Sequence, residues 1–153
     1  MDVREIMTQP IETLSPEDTL NCAAKLMRDH AVGCLPVVDE RGALTGMLTD
    51  RDIALQAHEY GEALWKLRVD ESMHTPAYTC RPDDDVATAA RIMREHRVRR
   101  LPVIEGDRPI GMISLDDLAR ASRQPILDPT PGLTSDELGD LYDATSGRSK
   151  HPR

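Results

Sequence analysis

The apolar and polar positions in the first third of the chain predict a strand followed by a helix. Residues 11–14 are short and compatible with a strand, and the turn signal Ser15-Pro16 ends it. Thr19 is a suitable helix N-cap. Apolar residues follow it at helical spacing up to His30, namely Leu20, Ala23, Ala24 and Met27. This spacing is more typical of a core-facing helix than of a cofactor site.

Two more strands and a second helix are predicted after this helix. Cys34 to Val38 is continuously apolar, which suits a strand buried on both faces. A turn at residues 39–42 leads to a strand from Leu44 to Thr49, and a closing helix runs from Asp50 to Ala57. The order of elements is therefore βαββα.

The same pattern is present a second time. A shift of 66 residues aligns residues 3–39 with 69–105, and sixteen of these 37 positions are identical. After a one-residue deletion the shift becomes 65, which places GMLTDRDIA at 46–54 over GMISLDDLA at 111–119. The second copy has Asp85 as its cap, the helix stripe Val86, Ala89, Ala90 and Met93, strands at 100–104 and 110–114, and a helix at 115–121. We therefore predict an α/β (α+β) fold of two tandem βαββα repeats packed with pseudo-twofold symmetry.

The repeats divide the chain into four parts. Repeat 1 spans 1–58, a linker with Trp65 and Leu67 spans 59–68, repeat 2 spans 69–122, and a tail rich in proline and polar residues spans 123–153. We expect the tail to be mostly flexible. The alternative within it is a short helix opened by a capping box of Thr134 with Glu137 and continuing through Leu138, Leu141 and Tyr142.

Composition and charge narrow the class of protein. The chain is 39% hydrophobic and 30% charged and has no Phe, which is typical of a soluble globular protein with an aliphatic core. No apolar run approaches the ~20 residues of a membrane span. The charged start of the chain does not resemble a secretory signal, so we expect a cytoplasmic protein. The formal charge of −8 disfavours nucleic acid and anionic membrane as partners.

One motif with candidate chemistry lies where the last strand of each copy meets its closing helix. The pattern Gly-apolar-apolar-Ser/Thr-x-x-Asp gives Thr49 with Asp52 in the first copy and Ser114 with Asp117 in the second. A carboxylate in the first turn of a helix can accept both vicinal hydroxyls of a ribose, while the helix N–H groups receive phosphate oxygens. From spacing alone, ordinary helix capping by the same residues is the favoured interpretation.

The motifs GMLTDRD and GMISLDD, each after an LPV strand, make the chain resemble the CBS-domain family, and the tandem pair resembles a Bateman module. The resemblance covers about residues 3–121 and is similar in its short architecture to actinobacterial two-CBS proteins of the hypoxic-response-protein type. It implies a cleft between the repeats that binds adenosine-containing ligands such as AMP, ADP, ATP or S-adenosylmethionine. It also implies a regulatory role without catalysis.

By analogy with the family, one of two pseudo-symmetric sites is expected to bind the ligand better. Copy two has Arg99 and Arg100 where copy one has Gly33 and Cys34, and arginine suits a phosphate. The better site is predicted to comprise Asp117, Ser114, Met112, Arg100, Arg99, Ile11, Val32 and Gly33. The weaker site is predicted to comprise Thr49, Asp52, Met47, Ala77, Val98 and Cys34. The alternative for the arginines is a solvated face, since Arg91, Arg94 and Arg97 lie nearby.

Other chemistry is disfavoured. His30 and His96 end equivalent helices, where the helix dipole favours a protonated imidazole. The three cysteines, Cys22, Cys34 and Cys80, have no CxxC spacing, so buried thiols are expected; a zinc site shared with a histidine is the alternative. The chain has no Gly-x-Ser-x-Gly, P-loop or HExxH motif, so we predict neither an enzyme nor a required cofactor or metal.

Two functional hypotheses remain. In the first, the chain is a ligand-sensing module that signals in trans to an unknown protein target, because no effector domain accompanies the repeats. In the second, it is a ligand-free interaction or stress protein whose motifs serve only as helix caps. A homodimer is expected under both hypotheses, by analogy with the family.

Overall fold

The computed structural model describes residues 1–123 and 135–146. Its helices are α1 (Leu20–His30), α2 (Asp50–Tyr60), α3 (Val86–His96), α4 (Leu115–Arg123) and α5 (Ser135–Thr145). Its strands are β1 (Cys34–Val38), β2 (Leu44–Thr49), β3 (Arg100–Glu105) and β4 (Arg108–Ser114). Short 3-10 turns lie at Val3–Glu5 and Leu64–Lys66. The predicted mixture of helices and strands, repeated in tandem, is confirmed.

Local sequence signals set where the first helix of each repeat begins and ends. The Thr19 side chain accepts a hydrogen bond from the Cys22 N–H, and the Asp85 side chain accepts one from the Ala87 N–H, so both predicted N-caps are confirmed. Each helix ends at a residue in the left-handed region, Ala31 with φ 53° and Arg97 with φ 54°. These two residues occupy the same position of the repeat.

The first strand predicted in each repeat is reduced to a single bridge. Leu14 bridges Val37 of β1 in parallel, and Cys80 bridges Val103 of β3 in the same way. The prediction of a strand over residues 11–14 is therefore wrong in extent. Within residues 11–14 only Leu14 makes backbone hydrogen bonds to β1: its N–H donates to the Pro36 carbonyl at 2.9 Å and its carbonyl accepts from the Val38 N–H at 2.8 Å.

The chain forms two compact units that do not coincide with the sequence repeats. Unit 1 contains residues 1–9, 78–105 and the described part of 110–153, and unit 2 contains residues 10–77 and 106–109. Each repeat therefore gives its first residues to the unit built around the other repeat. We call residues 1–9 and 69–77 the exchanged segments.

Residues 1–9 are fixed in unit 1 by backbone bonds and by one buried side chain. The Val3 N–H donates to the Asp84 carbonyl at 2.9 Å, and the Val3 side chain is 0% exposed. Thr8 then forms an antiparallel bridge with Met112 through two backbone hydrogen bonds of 2.8 and 3.0 Å. Because β4 also pairs with β3, residues 1–9 lie next to β4 rather than next to β3.

Residues 69–77 make the equivalent contacts in unit 2. Val69 is 0% exposed, and its N–H donates to the Asp18 carbonyl at 2.8 Å. His74 forms an antiparallel bridge with Met47 of β2, and β2 pairs antiparallel with β1 so that Cys34 lies opposite Thr49. Both units therefore have the same order of backbone pairing.

Each unit has its own core of mainly aliphatic side chains, as the absence of Phe predicts. The fully buried members in unit 1 include Val3, Met93, Leu101, Val103, Ile113 and Leu118. Those in unit 2 include Leu14, Leu20, Leu35, Val37, Leu48 and Val69. Of the two linker residues singled out, Leu67 is buried in the unit 2 core and Trp65 is 68% exposed.

Unit 1 carries one further helix from the predicted tail. The helix α5 packs against α3 and α4, and its Leu141 is 2% exposed. The short helix that the sequence offered as the alternative for this stretch is therefore present. The rest of the predicted flexible tail, residues 124–134 and 147–153, lies outside the described residues. Within the described ranges, no helix has the length and apolarity needed to cross a membrane.

Candidate functional site

In unit 1, Ser114 and Asp117 meet at the junction of β4 and α4. The Ser114 N–H and hydroxyl both donate to Asp117 Oδ2, at 2.8 and 2.6 Å. In return the Asp117 N–H donates to Ser114 Oγ at 3.2 Å. These reciprocal bonds are a capping box, which satisfies N–H groups that the first turn of a helix leaves without partners.

Unit 2 repeats this arrangement with Thr49 and Asp52. The Thr49 N–H and hydroxyl each donate to Asp52 Oδ2 at 2.8 Å, and the Asp52 N–H donates to Thr49 Oγ1 at 3.2 Å. The capping interpretation of both motifs is therefore confirmed. Capping occupies only Oδ2, however, so it leaves the role of Oδ1 open.

The second carboxylate oxygen of each aspartate faces a different side chain. In unit 1, Arg120 Nη2 donates to Asp117 Oδ1 from one turn further along α4. In unit 2, His74 Nε2 lies 2.7 Å from Asp52 Oδ1, and because an ionised carboxylate only accepts, that nitrogen must carry the proton. The aspartate side chains are 8% and 10% exposed, whereas those of Arg120 and His74 are 74% and 71% exposed. Each aspartate is thus a nearly buried acid whose second oxygen contacts an exposed partner.

The glycine that opens each motif has a packing role. A Cβ at Gly46 would lie 2.8 Å from the carbonyl oxygen of His74, and one at Gly111 would lie 2.8 Å from Sδ of Met7 and 3.2 Å from the Thr8 carbonyl oxygen. These atoms belong to the exchanged segments. Glycine is therefore required where an exchanged segment crosses the last strand of its unit.

The predicted phosphate-binding arginines have different surroundings. The Arg99 guanidinium lies 5.2 Å from the ring centroid of Tyr142 on α5, within the range of a cation–π contact. The Arg100 side chain is exposed and makes no hydrogen bond or ion pair with residues 1–123 or 135–146. The counterpart of Arg100 in unit 2, Cys34, is buried. Arg91 pairs with Glu95 on the surface of α3, as the solvated-face alternative expects for that residue.

The remaining predicted residues divide between the units. Met112 and Met47 form the bridges to the exchanged segments, while Val98 lies in unit 1 and Ala77 in unit 2, both half-buried. Three residues assigned to the better site, Ile11, Val32 and Gly33, lie in unit 2, whereas Ser114 and Asp117 lie in unit 1. Their participation in one site stays a prediction.

Arg120 and His74 were not among the residues predicted from the sequence. The spacing of Asp117 and Arg120, three residues apart on a predicted helix, is a known ion-pair signal and could have identified the first. No local signal identifies His74, since it reaches Asp52 only because its segment bridges β2.

The two histidines that end equivalent helices each lie against another side chain. His30 Nε2 lies 3.7 Å from Glu12 Oε1, and His96 stacks on Tyr78 with ring centroids 3.6 Å apart. Burial, assisted by the negative charge of Asp84, raises the pKa of the Cys80 thiol to about 12. Among residues 1–123 and 135–146, no group of three or more His, Cys, Asp or Glu side chains could hold a metal ion.

Comparison with known proteins shows clear relatives. The profile described as "CBS domain" matches residues 3–59 and 68–124. The CBS domain-containing protein YhcV of Bacillus subtilis is 41% identical over 117 residues, which cover 76% of this chain and 82% of the relative. Hypoxic response protein 1 of Mycobacterium tuberculosis is 33% identical with the same coverage. The similarity to hypoxic response proteins expected from the sequence is confirmed.

Solved structures resemble the fold closely. Hypoxic Response Protein I, solved with two coordinated zinc ions, has a TM-score of 0.73 at 32% identity and matches 82% of this chain and 100% of its own. The CBS domain pair of protein MJ0100, in complex with 5′-methylthioadenosine and S-adenosyl-L-methionine, has a TM-score of 0.72 at 29% identity over 79% and 94%. A homoserine O-acetyltransferase of Methanococcoides burtonii is 34% identical, but the match covers 23% of that enzyme.

Proposed function

The chain belongs to the CBS-domain family, of which it carries two tandem copies, and from this premise we propose that it is a regulatory module that binds an adenosine-containing nucleotide. The output acts in trans on a separate protein. The role is one of sensing rather than catalysis.

The observation that carries this proposal is the burial of one aspartate at the same place in each unit. Asp52 and Asp117 are 9% and 7% exposed, and no other charged side chain among the described residues is as buried. Burying a carboxylate is costly unless hydrogen bonds compensate. A helix cap alone does not need an aspartate, because the half-buried Thr19 caps α1 with Cys22, not an acid, three residues further on. The second oxygen, Oδ1, is available for a ribose hydroxyl when its exposed partner moves.

The arginines favour the Asp117 site for a phosphorylated ligand. Arg100 follows Arg99 at the start of β3 and is not paired with a carboxylate among the described residues, so it can donate its planar fork to a phosphate. The equivalent position beside Asp52 is Cys34, which offers no positive charge. We therefore assign the stronger site to Asp117, Ser114, Met112 and Arg100, with Arg99 contributing when it leaves Tyr142. The Asp52 site, with Thr49 and Met47, is the weaker one.

The relatives support a ligand of this class. The CBS domain pair of MJ0100 binds two adenosyl compounds, and its fold matches this chain over 79% of the chain's length. The nucleoside common to both compounds is the part that an aspartate-ribose contact would recognise.

Thermal unfolding with AMP tests the proposal through a matched pair of variants. AMP at 100 times its Kd should stabilise the wild type by about 2.7 kcal/mol. Asp117→Ala should abolish this stabilisation, while Asp52→Ala should retain most of it. Each variant also loses its capping box, at a cost of about 1 kcal/mol without ligand, so the comparison is between ligand-dependent shifts. The proposal is wrong if AMP, ADP, ATP and S-adenosylmethionine all produce neither heat nor stabilisation.

A second candidate function is a ligand-free interaction protein that forms a homodimer. Two observations favour it: both motifs form complete capping boxes, and unit 2 leaves Leu55, Tyr60 and Trp65 between 52% and 68% exposed. Under this function, Asp117→Ala lowers stability but leaves dimerisation unchanged. Light scattering that reports a monomer at micromolar concentration would exclude the dimer under either function.

A further inference from the structure

We infer that Arg120 is a specificity residue of the Asp117 site, and that it selects adenosine compounds with an anionic group at the 5′ position of the ribose. This inference rests on the proposed function. It concerns which member of the adenosyl class the site prefers.

The position of the Arg120 guanidinium is the first argument. Asp117 Oδ2 is held by Ser114, so Oδ1 is the oxygen left for a ribose hydroxyl, and Arg120 donates to that same oxygen. A carboxylate oxygen has two lone pairs, so a hydroxyl can share Oδ1 with the arginine or replace it. In both cases the positive charge lies beside the sugar. The 5′ carbon of a ribose is only a few bonds from its vicinal hydroxyls, within reach of a long side chain.

The exposure of Arg120 is the second argument. Its side chain is 74% exposed while that of Asp117 is 8% exposed. The arginine loses little when its own charge returns to water, and a ribose hydroxyl that replaces it keeps the buried carboxylate hydrogen-bonded. Arg120 can therefore turn from the aspartate to the ligand, and its planar fork can donate two hydrogen bonds to one phosphate.

Unit 2 lacks this group at the equivalent position. The counterpart of Arg120 is Leu55, an exposed residue that cannot contact a phosphate. The side chain on Asp52 Oδ1 is instead His74, which comes from an exchanged segment, and its counterpart in unit 1 is Thr8. Selection by the 5′ group is therefore a property of the Asp117 site.

A matched pair of ligands isolates the 5′ group. AMP and 5′-methylthioadenosine share the adenosine core, but the first carries a phosphate and the second a neutral thioether. Titration calorimetry of the full chain with each compound measures both affinities. Arg120→Leu, which introduces the side chain found at Leu55, should weaken AMP binding about tenfold, equivalent to ~1.4 kcal/mol, while 5′-methylthioadenosine changes less than about twofold.

Two further variants complete the experiment. Arg120→Lys retains the charge without the planar fork and should give an intermediate loss for AMP. Arg81→Leu removes an exposed positive charge elsewhere in unit 1 and should change neither affinity. Thermal unfolding without ligand verifies that each variant is folded.

The possible results separate this inference from the proposed function. If Arg120→Leu leaves AMP binding unchanged, or changes both ligands by the same factor, Arg120 has no selective role and the sensing function stands. Stronger binding of both ligands would mean that Arg120 only competes for Asp117, which also contradicts the inference. If the wild type binds neither compound, the proposed function fails together with it.

Discussion

Asp52 and Asp117 occupy the same position of a duplicated sequence, yet only one oxygen of each carboxylate has equivalent hydrogen-bond partners in the two units. In both units Oδ2 accepts two hydrogen bonds from the preceding Thr or Ser. Oδ1 faces His74 in unit 2 and Arg120 in unit 1, and these residues come from different parts of the chain. The difference shows that the helix-capping part of the motif is the same in both units, whereas the partner of the second oxygen differs.

The units differ again in what covers the helices. Unit 1 has α5, which is fixed by the buried Leu141 and by Tyr142 against Arg99. The positions in unit 2 equivalent to Leu115 and Arg99, which lie beside α5 in unit 1, are Asp50 and Gly33. An exposed acid and a glycine offer neither an apolar contact nor a cation to a helix of this sequence. Unit 2 therefore lacks, at these two positions, the side chains that lie beside α5 in unit 1.

The largest expected effect tests the role of α5 in this comparison. Leu141→Ala should lower the free energy of unfolding by about 2–4 kcal/mol, because it leaves a cavity in the unit 1 core. Leu55→Ala, on the uncovered α2, should change it by less than about 0.5 kcal/mol. Chemical denaturation followed by circular dichroism measures both. A loss below about 0.5 kcal/mol for Leu141→Ala would mean that the packing of α5 adds little to the stability of unit 1.

A somewhat smaller effect tests the exchanged segments. Val3→Ala and Val69→Ala should each cost about 2 kcal/mol, since each removes two buried methyl groups. Hydrogen exchange should show that each substitution destabilises the unit in which the valine is buried, not the sequence repeat to which the valine belongs. Val3→Ala should speed exchange in α3 and β3, and Val69→Ala should do so in α1 and β1. Faster hydrogen exchange in α1 after the Val3→Ala substitution would show that residues 1–9 do not stabilise unit 1.

The smallest effect concerns an ion pair found in one unit. Arg68 donates two hydrogen bonds to Asp70 in unit 2, at 2.6 and 3.0 Å, and these lower the pKa of the Asp70 carboxyl. A lowered pKa in the folded state adds stability above the ordinary carboxyl pKa of about 4, and this contribution is lost as the pH falls. The counterpart of Asp70 in unit 1 is Arg4, which pairs with Asp83 instead.

Urea unfolding of Asp70→Asn measures this effect. The variant should be slightly less stable than the wild type at pH 7, and the difference should shrink as the pH falls below about 4. Glu40→Gln, at an exposed turn position, should match the wild type throughout. A difference that does not shrink with acidification would show that the charge of Asp70 is not its source.

Elements that depend on neighbouring residues could be predicted from the sequence. The caps Thr19 and Asp85 and the strands Cys34–Val38 and Leu44–Thr49 were located correctly, since capping and apolar runs are local properties. Duplication strengthened each prediction because the same signals occur twice. The capping role of Asp52 and Asp117 followed from the same kind of signal.

Features that depend on distant residues could not be predicted. Val3 and Val69 look equivalent in sequence, and nothing near them says that each is buried in the other repeat's unit. The glycines of the two motifs are evident in the sequence, but the reason for them is the exchanged segment that lies against each one in the structure. The contact of His74 with Asp52 depends on the same long-range pairing.

The exchanged segments also bear on how such a protein arises. A half-length chain with one repeat would begin with an exchanged segment. If that segment packs as it does here, it would complete the unit of a second molecule and not the unit of its own chain. Two such chains would each have to lend their first residues to the other, as in a domain-swapped dimer. After gene duplication and fusion, the two repeats exchange these segments within one polypeptide. Completion of each unit then no longer depends on protein concentration.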